Sequence, residues 1–72
     1  MERQKLIGEN LKRARGARSR AEIAQRAGIS QSDIQMYENG ERVPRDTVKI
    51  RLASVLGASV AELFYPEYFF TK

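Results

Sequence analysis

Residues 19 to 40 read SRAEIAQRAGISQSDIQMYENG, and the fold turns on how this stretch is interpreted. Ser19 and Ser30 each precede a helix-like run, with an acid three places on, Glu22 and Asp33. That is the capping-box pattern, in which the Ser oxygen and the acid satisfy unpaired N–H groups of a first helical turn. Gly28 stands between the two runs, where a left-handed residue can stop one helix and turn sharply into the next. Ala24 is small enough for a second helix to cross closely. Ile23, Ala27, Ile29 and Ile34 can share a core, leaving Gln31, Ser32 and Gln35 on the open face. Two helices so arranged make either a helix-turn-helix, whose second helix enters the DNA major groove, or an αα-hairpin that merely packs. Spacing alone leaves the two level.

The longer pattern separates them. The residues Glu22 to Ala24, Gly28-Ile29-Ser30-Gln31-Ser32, Ile34 and Tyr37-Glu38-Asn39-Gly40 are followed by Pro44, Leu52-Ala53, Leu56-Gly57 and Ser59 to Phe64. In this order and register they resemble the phage-repressor and Cro-like (Xre-type) family of helix-turn-helix transcriptional regulators. The resemblance spans about residues 7 to 64 and implies an all-α, compact five-helix, lambda-repressor-like DNA-binding domain with the helix-turn-helix at helices 2 and 3. It also implies sequence-specific binding of double-stranded DNA.

Helical spacing and caps predict helices over Arg3 to Arg15, Arg20 to Ala27, Gln31 to Asn39, Asp46 or Thr47 to Leu56, and a short one to Phe64 behind Ser59 and Glu62. Gly8 is an internal cost to the first helix, tolerated or relieving crowding. The chain is expected to be one domain over 1–72, with a core from 5 to 64 and an aromatic tail from 65 to 72. Two departures from the family pattern stand out. The connection Arg15 to Ser19 is about two residues short, and Arg18 occupies the place where relatives carry a leucine. Core closure by Ala17 is the expectation there.

At 72 residues with 42% hydrophobic content, the chain can bury only a small core. It has no cysteine and no histidine, so disulfide staples, thiolate sites and the usual general base are all missing. With no Gly-rich phosphate loop or clustered carboxylates either, the expectation is no enzyme, no metal and no cofactor. No apolar run is long enough to span a bilayer or act as a leader, so the cytoplasm is expected, with no membrane partner. Residues 1 to 26 carry eight Lys or Arg against three Glu, net +5, while the remainder is −1. A basic half suits phosphate contact, although an Arg-rich solvated face has the same composition.

Base reading is expected from Gln31 first, whose amide can match the N6/N7 edge of adenine, then from Ser32 and Gln35. Met36 either packs on a thymine methyl or covers a core edge. Phosphate contacts are expected from Arg20 at a helix N-terminus, from Asn39, Arg42 and Arg45 after the recognition helix, and from Gln25 and Arg13. The resemblance implies that Arg15 and Glu38 form a structural, partly buried ion pair, with Tyr37 in the core or at its rim. Five of six aromatics fall at Phe64, Tyr65, Tyr68, Phe69 and Phe70. They either fold back over the first helix or form a two-fold interface, and a homodimer is expected. A repressor acting by promoter occupancy is the leading function. The alternative is an antitoxin-like chain that holds a protein partner and binds DNA for autoregulation. So short a chain leaves no room for an effector-sensing domain, and control is expected through concentration, a partner or proteolysis.

Overall fold

Serine caps and glycine stops divide the chain into its elements. The computed structural model describes residues 3–66, which form α1 (Arg3–Arg15), α2 (Arg20–Ala27), α3 (Gln31–Glu38), α4 (Asp46–Leu56) and α5 (Val60–Phe64). The Oγ atoms of Ser19, Ser30 and Ser59 accept from the N–H groups of Glu22, Asp33 and Glu62 at 2.9–3.0 Å. The reciprocal half of the box forms at Ser59, whose N–H donates to Glu62 Oε1. At Ser30 the shorter Asp33 side chain faces Arg42 instead, at 3.9 Å.

Gly28 ends α2 at φ 72°, ψ 34°. Its N–H donates to Gln25 O, and Ile29 N–H donates back to Ala24 O at 3.0 Å. This pair of bonds turns the chain sharply while satisfying two terminal carbonyls, and it requires the left-handed conformation that glycine adopts freely. The same pair of bonds recurs after α3 and α4.

α1 packs on α3 and α5, α2 on α3 and α4, and α4 on α5. The core is built from Ile7, Leu11, Ile23, Ala24, Ala27, Ile34, Tyr37, Leu52, Ala53, Leu56, Leu63 and Phe64. Ala24 is buried, so α2 meets its neighbours without a bulky side chain between them. Two polar residues sit on apolar faces and are put to use. Asn10 Nδ2 donates to Leu63 O at 3.3 Å, satisfying a carbonyl of α5. Buried Lys49 donates to the Tyr65 hydroxyl at 2.9 Å, and its Nζ lies 4.8 Å from the centre of the Tyr65 ring.

The short connection after α1 closes differently from expectation. Ala17 is exposed. Arg18 does the closing: its guanidinium donates to Ala14 O at 2.8 Å, Arg15 O at 3.2 Å and Val55 O at 3.4 Å. A cation at the C-terminal carbonyls of two helices is favourable both as a cap and against their dipoles, so a polar strut replaces an apolar plug.

Of the two readings of the aromatic residues, Phe64 follows the one that completes the core and not the one that made it an interface residue. Phe64 is fully buried at the centre of the core, with no surface for a second subunit, and Tyr65 is half-buried beneath Lys49 and Arg3. Tyr68, Phe69 and Phe70 lie outside the described residues.

Gly8 is where α1 touches the end of α3. A Cβ at Gly8 would run into the Glu38 carbonyl group and come within 2.9 Å of Tyr37 O. On an isolated helix Gly→Ala gains about 1 kcal/mol. Here the added methyl must separate two backbones, and Gly8→Ala is expected to destabilise the fold by about 2 kcal/mol, read as a lower urea midpoint.

Candidate nucleic-acid interface

The position of α3 is set by one carboxylate. Glu38, on the last turn of α3, has a side chain only 2% exposed. Arg15 Nε and Nη2 donate to its two oxygens at 2.7 and 3.1 Å, a bidentate fork. Arg20 Nε donates to Oε1 at 3.0 Å. The carboxylate therefore joins the end of α1, the start of α2 and the end of α3 above Leu11, Ile23, Ile34, Leu52 and Leu56. Arg15 also donates through Nη1 to Arg18 O at 2.9 Å, so the same guanidinium pins the α1–α2 connection.

Burial pushes the Glu38 carboxyl up, but hydrogen bonds and charge from Arg15 and Arg20 outweigh it and hold the group below the ordinary glutamate value. The Arg15 guanidinium is correspondingly raised, chiefly by its hydrogen bond to Glu38. No buried side-chain nitrogen or oxygen among the described residues lacks a partner.

On this frame the residues expected to read bases have distinct settings. Gln31, Ser32 and Gln35 are exposed on α3, beginning at its first residue. Met36 is half-buried at the edge of that face. Among the residues expected on phosphates, Gln25, Asn39, Arg42 and Arg45 are exposed. Asn39 caps the C-terminus of α3, and Arg45 is the N-cap residue of α4. Arg13 donates to Asn10 Oδ1 at 3.2 Å along α1. Arg20 differs most from expectation: its side chain is 39% exposed and its Nε is committed to Glu38, so its first task is architectural. Arg18, Asn10 and Lys49 were not singled out by sequence as holding the frame. Asn10 and Lys49 betray themselves as polar residues on the apolar faces of their helices. Arg18 has no such signal beyond replacing a leucine.

The sign of the Glu38 shift determines a pH dependence. A carboxylate held below its ordinary value contributes stability that is complete above about pH 4.5 and is lost as pH falls through the lower folded-state value. Urea midpoints are therefore expected to fall with acidification below that point, and less steeply in Glu38→Gln. At neutral pH that variant leaves two arginines without their anion and should lose about 3 kcal/mol.

Among the described residues no helix is long and apolar enough to cross a membrane, and no group of His, Cys, Asp and Glu is placed to hold a metal ion. Comparison with curated proteins finds no match. Comparison with protein families matches residues 6–63 to the family described as "Helix-turn-helix domain". The match begins within α1 and ends within α5, and it includes the α2–Gly28–α3 unit whose outer face carries Gln31, Ser32 and Gln35. A helix-turn-helix is a duplex-DNA-binding element whose second helix lies in the major groove. The chain belongs to the helix-turn-helix domain family.

Proposed function

We propose that the chain is a sequence-specific transcriptional repressor that binds an inverted-repeat operator as a homodimer and blocks a promoter by occupying it. The observation that carries this reading is the polar, solvent-facing start of α3, with Gln31, Ser32 and Gln35 exposed while Ile34, Tyr37 and Glu38 on the same helix are buried. Gln31 is the principal base-reading residue, its amide donating and accepting at one adenine edge. Ser32 and Gln35 reach neighbouring base pairs, and Met36 offers an apolar contact at the margin. Asn39, Arg42 and Arg45 follow α3 and serve the phosphate backbone, with Gln25 and Arg13 as flanking contacts. The terminal nitrogens of Arg20, beside the N-terminus of α2, add a further one.

One short helix contacts few base pairs, so a second copy related by a two-fold axis supplies the remaining specificity. The partner-holding alternative draws on fewer residues than the sequence offered it, because Phe64 is spent in the core and Tyr65 is packed between cations.

Selection from a random duplex pool at moderate salt tests the proposal. It is expected to enrich an inverted repeat with half-sites one helical turn, about 34 Å, apart. Gln31→Ala should lose about 1–3 kcal/mol of discrimination at one position of each half-site, whereas Arg45→Gln should weaken all duplexes alike and lower the salt slope by about 1 per subunit. Sequence-blind binding alone would overturn the repressor reading.

A further inference from the structure

An open groove of about 480 Å3 runs along the flank of α3, between the α2–α3 turn and the start of α4. That volume is typical of sites for small molecules. Arg42, Arg45 and Arg51 line it against a single carboxylate, Asp33. Asp33 holds Arg42 only loosely, at 3.9 Å, while Arg45 and Arg51 make no hydrogen bond or ion pair among the described residues. Arg51 leans over the α2–α3 turn, its Nη1 3.6 Å from where a Cβ on Gly28 would stand.

Two further donors face the same space. The first turn of α4 has no side-chain cap, and its Thr47 and Val48 line the groove. Asp46, the acid of that turn, is directed to Lys49 at 3.7 Å. Tyr37 also lines the groove although it is only 5% exposed, and its hydroxyl has no hydrogen-bond partner among the described residues. The hydroxyl oxygen reaches the groove surface at the tip of an otherwise buried side chain, where it can donate to an oxyanion. Burial first, and then Asp33, raise the phenol above its ordinary value against the opposing pull of Arg42 and Arg45, so it remains a donor at neutral pH.

We infer that this groove binds the phosphate group of a small phosphorylated molecule, held by Arg42, Arg45 and Arg51, the free N–H groups of α4 and the Tyr37 hydroxyl. A regulatory consequence rests on the DNA-binding proposal: Arg42 and Arg45 are the side chains assigned to the duplex backbone, so ligand and operator compete for them. The effector site would then lie on the DNA-binding domain itself.

The test is an amide NMR titration of the full chain with inorganic phosphate, against chloride at matched ionic strength. Saturable shifts confined to Tyr37, Arg42, Thr47 and Val48 are expected, with binding weakened about tenfold by Arg51→Gln and several-fold by Tyr37→Phe. Non-saturating shifts that spread to the arginines of α1, or binding that Arg51→Gln leaves unchanged, would overturn the site. Arg51 is exposed, so its variant keeps the test decisive even if Tyr37→Phe fails to fold. In phosphate-free buffer Arg51→Gln should bind the selected duplex as the parent does. Added phosphate should release duplex from the parent and not from the variant, and equal release from both would overturn the competition. If no duplex is selected, the DNA-binding proposal fails while the phosphate titration still decides the groove.

Discussion

The carboxylate of Glu38 is the constraint on which the rest of the molecule depends. It is almost wholly buried, yet it bears a charge that Arg15 and Arg20 compensate. A buried charge without partners would cost several kcal/mol, so the three helices that bring these groups together cannot shift far apart independently. Such a network need not add much net stability over an apolar filling of the same shape. Its value is directional, because a bidentate fork fixes distance and orientation where packed methyl groups would slide. The consequence is that α3 is held at both ends. Its last turn is tied to α1 and α2, and its first turn follows Gly28 and Ser30 at a set angle.

The second constraint is the close approach of α1 to α3. Gly8 lets the backbone of one helix rest on the terminal carbonyls of the other, immediately beside the residue that holds the ion network. The polar strut from Arg18 acts at the opposite end of α1, drawing its last carbonyls towards Val55 on α4. A core this small has few large side chains to spend. Backbone contact and charge-assisted bonds accordingly take on work that a larger domain leaves to apolar burial. The aromatic residues near the C-terminus follow the same economy. Phe64 fills the core, while the cations of Arg3 and Lys49 lie over the Tyr65 ring.

What α3 presents to solvent is a polar surface. Gln31, Ser32 and Gln35 face solvent because Ile34, Tyr37 and Glu38 occupy the buried side of α3, and each turn of helix has room for only one such division. The groove on the neighbouring flank arises from the same geometry. Tyr37 reaches between α3 and α4, and the connection through Pro44 carries Arg42 and Arg45 past its opening.

Local chemistry alone was enough to mark the elements. Serine caps, glycine stops and Pro44 are short-range devices: α2 runs between Ser19 and Gly28, α4 starts after Pro44 and stops at Gly57, and α1 stops before Gly16. α3 ends one residue sooner, with Asn39 as its cap. The exposed face of α3 was legible for the same reason, since helical period alone separates Gln31 and Gln35 from Ile34 and Tyr37. Tertiary structure decided what depends on distant partners. Composition left open whether Phe64 serves a core or an interface, and α1, α4 and α5 together enclose it. Nothing near Arg20 in the sequence says that Glu38, eighteen residues away, holds its Nε. Arg18 read as a gap in an apolar pattern, yet it finds carbonyls on two helices that only packing brings within its reach. Periodicity and caps are properties of neighbouring residues. The partner of a long charged side chain is set by whichever surface the fold brings alongside it.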